Sequence, residues 1–249
     1  MPNQIGNCVI RYDGRQWDAP MAPALLARVT EAVRHLGELG FGPLVALDSM
    51  GTYNPASKLP NGRPSKHALN PPQAIDVSGV EWPGGKRIRT LDRLTQQELY
   101  LRVEACLRLG GFGTVLGWDY GADHHNHWHC DYGQAFGGAG TSQTQFIGSA
   151  LQVLGFANVR AAQGALGQPV DGQVGPVTLT ALCKALIARG ADRPTHDVGT
   201  LRVRIGATLI PYEERGGIAW APLRTVCEAL GATVDTSGYP AEIVVTPKE

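Results

Sequence analysis

The chain has 249 residues, 43% of them hydrophobic, so it can bury a core, and its length predicts about two domains. Lysine and arginine together number 22, as do aspartate and glutamate, so no basic field points to nucleic acid or to an anionic membrane. The longest apolar stretches are too short to span a bilayer, which argues against stable membrane insertion.

The start of the chain and its cysteines indicate the compartment of synthesis. The first residues, MPNQIGNCVIRYDG, lack the charged segment and apolar core of a secretory signal peptide. The cysteines are odd in number and show no CxxC spacing, which favours a reduced compartment over a disulfide framework. We therefore expect synthesis in the cytoplasm without a signal peptide.

The first segment, residues 1–140, mixes helical and strand-like patterns. Leu26, Val29, Val33 and Leu36 repeat at helical spacing, and the Gly/Pro-rich stretch that ends at Pro64 is irregular. The patterns predict helices at Ala22–Leu39 and Thr95–Leu109 and strands at Pro43–Leu47, Thr114–Gly117 and His127–Tyr132. Helices flanking a small antiparallel sheet make this an α+β domain.

Two smaller segments follow. The glycine-rich residues 133–144 predict a linker, and residues 141–193 predict a three-helix domain in which Pro176 begins a helix. Residues 198–249 alternate in a way that predicts a small α+β domain. The predicted elements are helical pieces at Leu151–Leu154, Val159–Leu166, Thr178–Ile187 and Pro222–Leu230, and strands at Leu201–Ile205, Thr233–Asp235 and Glu242–Val245.

A candidate metal site is formed by His67 and Asp76 in SKHALNPPQAID and by His129 in the run HHNHWHCD. Two neutral imidazoles and one carboxylate give zinc three ligands and leave a fourth tetrahedral position open for water, which is the pattern of catalytic zinc. A histidine-rich loop that binds metal adventitiously is the alternative. The presence of a second motif, SKHALNPPQAID, favours a specific metal site over adventitious binding.

The closing run is predicted to be a strand, in which side chains alternate between two faces. His127, His129 and Asp131 then share one face, whereas Trp128 and Cys130 point the other way. This argues against Cys130 as a ligand of the same ion. It places His127 in the same cavity as His129.

SKHALNPPQAIDVSG resembles the Ser-x-His…Ala-x-Asp signature of zinc D-alanyl-D-alanine carboxypeptidases and L-alanyl-D-glutamate endopeptidases, in particular their extensin-like branch. The run that ends at Asp131 is similar to that branch's closing motif, an aromatic residue between two histidines followed by an acid. The resemblance implies zinc as cofactor, bound by His67, Asp76 and His129. It also implies a supporting role for Ser65. The candidate substrate-binding residues are Arg63, Ser65 and Trp128.

For two of these residues the alternative is a role without substrate contact, since Ser65 can simply cap a turn and Arg63 can be a solvated loop charge. The interval from His67 to Asp76 is two residues longer than is usual in the family, which predicts a bulged loop.

The general base is a second departure from the family. Asn126 stands where the family has an Asp or Glu as general base, and an amide cannot take a proton. Related peptidases with a His-x-His closing motif use the first histidine, so His127 is the predicted base. Asp123 and His124 are substitutes. An inactive site is the alternative.

Two downstream stretches carry further resemblances. Residues 159–182 look like a peptidoglycan-binding helical repeat, and residues 205–245 resemble the small repeat named after the N-terminal domain of copper amine oxidases. Together the resemblances imply a monomeric zinc-dependent peptidoglycan hydrolase that cleaves a stem-peptide amide bond at the bacterial cell wall, of endolysin or autolysin type. Without a leader, it would reach the wall by phage-type release. A catalytically inactive wall-binding protein that retains the zinc site is the alternative.

Overall fold

The structure is a computed structural model that describes residues 4–59, 61–133 and 140–189 and six short strands between residues 202 and 247. The chain divides into two compact units, Met1–Asp192 and Arg193–Glu249. The helices of the first unit are α1 (Pro23–Gly37), α2 (Gln97–Leu109), α3 (Gly140–Leu154), α4 (Val159–Ala165) and α5 (Pro176–Ala188). Its strands are β1 (Gln4–Ile5), β2 (Cys8–Tyr12), β3 (Arg15–Gln16), β4 (Ala46–Gly51), β5 (Ala74–Glu81), β6 (Arg87–Arg89), β7 (Thr114–Leu116) and β8 (Trp128–Asp131).

The strands of the first unit form a mixed sheet in the order β1-β2-β4-β5-β8-β7, with β3 beside β2 and β6 beside β5. The prediction of an antiparallel sheet is wrong at one pair, because β2 and β4 run parallel with Val9 opposite Ala46. A parallel pair needs a crossover connection, and α1 supplies it between these two strands. The α+β class itself is confirmed.

One face of the sheet packs against α1 and α2. In α1 the buried residues Leu25, Val29, Ala32 and Leu36 recur every three or four positions, which gives the helix one apolar stripe. The helix α2 is buried on nearly all sides, because α1, α3, α5 and the sheet all contact it. Asp76 and Ser78 lie on the opposite face, where they are partly exposed and alternate with buried neighbours along β5.

The helices α3 and α5 pack against α2. The predicted linker, residues 133–144, is wrong in its last part, because α3 already begins at Gly140. Gln143, Phe146 and Ala150 are buried at helical spacing, and this stripe anchors the helix in spite of its polar composition. Residues 1–192 form one compact unit, so the predicted first and second domains both lie within it.

The described part of the second unit consists of three antiparallel strand pairs. They are β9 (Arg202–Ile205) with β10 (Thr208–Pro211), β11 (Glu213–Arg215) with β12 (Ile218–Trp220), and β13 (Ala232–Asp235) with β14 (Val244–Pro247). The three predicted strands of this segment coincide with β9, β13 and, two residues later, β14. The predicted helix at residues 222–230 lies outside the described residues.

Among the described residues, no helix combines the length and the apolar character that crossing a membrane requires.

Candidate metal centre

Three side chains converge on one point at the open face of the sheet. His67 Nε2, Asp76 Oδ1 and His129 Nδ1 each lie 3.1 Å from the other two. Among the described residues this is the one group of three or more such side chains whose donor atoms approach closely enough to hold a metal ion. The sequence-predicted ligand set is therefore brought together.

The strand register places two of the three ligands side by side. Strands β5 and β8 are antiparallel neighbours, and Asp76 lies directly opposite His129. Opposed residues in such a pair have Cβ atoms about 5 Å apart on the same face. A slip of one residue would turn one of the two side chains into the core.

His67 reaches the same point from a short 3-10 turn, Lys66–Ala68. Ser65 caps this turn, because its Oγ accepts a hydrogen bond from the His67 backbone N–H at 3.2 Å and donates to Ser57 Oγ at 2.7 Å. The loop that follows is closed by a bond from the Gln73 N–H to the Lys66 carbonyl, after which the chain enters β5. The turn fixes His67, and the longer loop still returns Asp76 to the cluster.

Each ligand histidine is anchored through its outer ring nitrogen. His67 Nδ1 lies 2.8 Å from the Thr52 carbonyl oxygen, and His129 Nε2 lies 3.2 Å from Asp131 Oδ2. Because both partners are acceptors, these outer nitrogens carry the protons. The inner nitrogens then direct lone pairs at each other and at the Asp76 carboxylate, an arrangement that calls for a cation between them.

The pKa values reflect this need for positive charge. Burial alone raises the pKa of Asp76, but its contacts with His129 and His67 outweigh this effect and hold the pKa well below its usual range. Burial lowers the pKa of His129, yet the hydrogen bonds to Asp131 and Asp76 raise it to about 9. Both shifts therefore favour positive charge at this point.

The donor set fits a tetrahedral zinc ion. Ligand atoms at bonds of about 2.0–2.1 Å around tetrahedral zinc stand roughly 3.4 Å apart, close to the 3.1 Å spacings here. Two imidazole nitrogens and one carboxylate oxygen suit zinc, and three protein ligands leave a coordination position for water or substrate. Cys130, on the opposite face of β8, is fully buried and takes no part.

His127 stands beside the cluster. Its Nε2 lies 3.6 Å from Asp76 Oδ1, and its Nδ1 lies 2.8 Å from Asn126 Oδ1. In this orientation the Asn126 amide oxygen accepts the Nδ1 proton, so Nε2 faces the cluster with a free lone pair. Burial lowers the pKa of His127, which favours this neutral form.

The two substitute bases are placed differently. The ring of His124 lies 5.0 Å from that of His127 and 6.2 Å from that of His129, so it borders the site. The side chain of Asp123 is 80% exposed, and its Oδ1 lies 3.2 Å from His124 Nδ1. The contact that the structure gives Asp123 is with His124 and not with the three ligands.

The three substrate-binding candidates differ in exposure and in their contacts. Arg63 is exposed in its loop, and the structure gives its guanidinium no ion-pair partner among the described residues. Ser65 acts as a turn cap, as described above. The prediction that Trp128 contacts substrate is wrong, because its ring is completely buried behind the sheet with its centroid 4.8 Å from that of Tyr100. It has no exposed surface with which to contact a substrate, as the alternation along the strand requires.

Two supporting groups were missed by the sequence reasoning. Asp131 was placed on the ligand face but given no role, although an acid two residues beyond a ligand on the same strand face was a usable signal. Thr52 contributes through its backbone carbonyl, for which side-chain identity carries no signal.

Comparison with known proteins gives a family match over this part of the chain. The family model described as the C-terminus of extensin-like proteins matches residues 9–142. This range contains β4 to β8, the ligands and His127. No curated protein and no solved structure matches the chain significantly.

Proposed function

Because the match spans more than half of its residues, the chain belongs to the extensin-like C-terminus family, which is similar to D-Ala-D-Ala carboxypeptidases, and we propose that it is a zinc-dependent peptidase of bacterial peptidoglycan. The proposed reaction is hydrolysis of one amide bond in a stem peptide. The family relation supports the proposed substrate class, and the ligand geometry supports the proposed chemistry.

One observation carries the proposal. The outer nitrogens of His67 and His129 are both tied to acceptors, while their inner nitrogens converge on Asp76 Oδ1. A cluster that served only to stabilise the fold would pair donors with acceptors, because unpaired buried polar groups are costly. This one pairs acceptors with acceptors, as a cation site does.

When bound, zinc supplies a Lewis acid that polarises the peptide carbonyl and activates water. His67, Asp76 and His129 would hold it. His127 would take a proton at Nε2 and return it to the leaving amine, for which a neutral imidazole at the site is required. Asn126 would keep His127 in the required tautomer by accepting from Nδ1. In this assignment Asn126 orients the base and takes no proton itself.

The helices α4 and α5 are proposed to bind the cell wall. Support comes from the resemblance and from the rigidity of the turn that joins them. Gln163 is buried, and its amide donates to Asp171 Oδ1 and the Gln173 carbonyl and accepts from the Gly172 N–H. Such anchoring raises the effective concentration of an active site at an insoluble substrate. Retention on purified sacculi would test it.

The test of the catalytic proposal is incubation of the zinc-loaded protein with defined muropeptides, with and without chelator, followed by mass spectrometry of the products. We expect new termini that disappear on chelation. His127→Ala should lower turnover by about 10²–10⁴-fold with zinc content unchanged. His124→Ala should have a smaller effect, and His35→Gln, on the far helix α1, should have none.

Each contrary outcome has a distinct meaning. Loss of zinc in His127→Ala would make His127 a fourth ligand. A larger loss of turnover in His124→Ala would make His124 the base. Absence of any zinc-dependent product from any stem peptide would contradict catalysis. It would favour the alternative motivated by Asn126, a wall-binding protein with a retained metal site.

A further inference from the structure

A cavity of about 540 Å³ is lined in part by Ser78, two residues along β5 from Asp76. It lies between the hairpin that joins β2 to β3 and the strands β4, β5 and β6. None of the three ligands lines it. The ligand set therefore does not account for the cavity.

The floor of the cavity is charged. Asp48 is nearly buried and binds two guanidinium groups, with Oδ1 at 2.7 Å from Arg11 Nε and Oδ2 at 2.8 Å from Arg87 Nη2. Arg11 also binds Glu81 Oε2 at 2.6 Å, so two carboxylates hold it. Among the described residues, the one ion-pair partner of Arg87 is Asp48, which also pairs with Arg11. The side chain of Arg87 is 46% exposed. Its other N–H donors can bind an additional anion.

The wall of the cavity is apolar. Tyr12 on β2 and Met50 on β4 line it, and both side chains are about half exposed. Large apolar side chains that remain exposed at the edge of a cavity are typical of binding sites. A ligand that matches both surfaces has a carboxylate next to an apolar group.

The position of Ser78 links the cavity to the metal cluster. Ser78 lines the cavity and lies two residues from Asp76 on β5, with both side chains on the open face. At a rise of about 3.3 Å per residue, the two positions are roughly 7 Å apart. That is the length of about two residues of extended peptide, so a peptide bound at the cluster can reach the edge of the cavity that Ser78 lines.

We propose that this cavity binds the carboxylate-bearing residue of the peptide that lies next to the bond that is cut. Arg87 donates to the carboxylate, and Tyr12 and Met50 contact the apolar part of the residue. The assignment rests on the proposed function for its substrate. The carboxylate is either the chain terminus or a side chain within the stem peptide.

The binding step can be measured without catalysis, in chelator, by titrating peptides into the isotope-labelled full-length protein and following its amide resonances. N-acetyl-D-alanyl-D-alanine presents a terminal carboxylate, and N-acetyl-L-alanyl-D-glutamate α-amide presents a side-chain carboxylate. Their fully amidated forms are the matched neutral probes. We expect shifts at Gly14 and Ser78, and affinity that falls about 10- to 100-fold on amidation.

Substitutions identify the group that binds the carboxylate. Arg87→Met should weaken binding of the acid as much as amidation does and should leave binding of the amide unchanged. Arg34→Met is the matched control, because Arg34 is a similarly exposed arginine that pairs with glutamates on α1. Equal affinity of Arg87→Met and the unaltered protein for the acid would overturn the proposal. So would shifts confined to residues outside the cavity.

Asp13, at the rim of the cavity, tests the sign of the ligand charge. It has a left-handed backbone with φ 50°, which asparagine also adopts readily, so Asp13→Asn keeps the hairpin. Removing this negative charge should tighten carboxylate binding by about twofold. Weaker binding would mean that the cavity selects a cation instead.

The two proposals fail separately. If the zinc-loaded protein cuts no peptide but Arg87-dependent binding is measured, the proposed function is wrong and the cavity assignment stands. If the protein cuts stem peptides equally well in free-acid and amidated form, and Arg87→Met changes neither rate, the cavity assignment is wrong and the proposed function stands.

Discussion

Two polar clusters of the first unit, one buried and one partly buried, differ in how their charges meet. On α2, the carboxylate of Glu104 lies 2.7 Å from Arg108 Nη2, and both side chains are almost fully buried. Arg108 also donates to the Val115 carbonyl, and the ring of Phe146 lies over its guanidinium. At His67, Asp76 and His129, two ring nitrogens and a carboxylate oxygen meet, and the structure gives them no lysine or arginine partner among the described residues.

The difference separates a structural cluster from a binding one. Burial raises the pKa of Glu104, and the neighbouring Arg108 counteracts this, so the chain itself supplies both charges of the pair. At His67, Asp76 and His129 the chain supplies acceptors and leaves the positive charge to a ligand or a proton. Burial of charge alone is therefore a poor guide to function, and the balance of donors and acceptors is a better one.

Replacing one of the three ligands should abolish metal binding. Asp76→Asn keeps the size of the side chain but removes the one negative charge among the ligands. We expect loss of bound zinc and of all zinc-dependent hydrolysis, with the apo protein still folded. Elemental analysis, product analysis and circular dichroism measure these three properties. Stoichiometric zinc in this variant would show that the ion is held elsewhere.

Replacing one partner of the structural pair should affect stability and not metal. Glu104→Gln leaves the buried Arg108 without a counter-charge, which costs about 3–5 kcal/mol in free energy of unfolding. Denaturant titration measures the cost, and zinc stoichiometry should not change. The double variant Glu104→Leu/Arg108→Met should recover most of the stability, because it buries no unpaired charge. A double variant as unstable as the single one would contradict this account.

Weakening the support of a ligand should have an intermediate effect. Asp131→Asn removes the charge that accepts the His129 Nε2 proton and should reduce zinc affinity by about 10–100-fold. Competition with a chromogenic chelator measures it. Asp123→Asn is the control, since Asp123 is exposed and outside the ligand set, and its affinity should match that of the unaltered protein.

A further effect concerns pH. His129 has a pKa raised to about 9 when no metal is bound, so below that pH a metal ion must displace a proton. Apparent zinc affinity should rise about tenfold per pH unit up to about pH 9 and then level off with respect to this group. Proton release on zinc binding at pH 7 is measurable by calorimetry in buffers of different ionisation enthalpy. Affinity that is flat between pH 7 and 9 would contradict the assigned pKa.

Helices with a regular apolar repeat could be predicted from the sequence. The repeats identified α1, α2 and α5 to within a few residues at most ends, and Pro176 marked the start of α5. By contrast α3 was missed over most of its length, because its buried stripe is set among polar and glycine residues. The strand β5 was missed as well, although Ile75 and Val77 alternate with polar residues, since the prolines just before it suggested a loop.

The residue types of the metal centre were determined by the sequence alone, because histidine and carboxylate chemistry does not depend on the fold. The period of two along β8 also separated the face of His129 from that of Trp128 and Cys130. What only the tertiary structure decided is which nitrogen of each ring faces inward and that the ligands meet at all. Asp76 lies opposite His129 only because β5 pairs with β8 in one register, and that register is fixed by burial of the core face across the whole sheet.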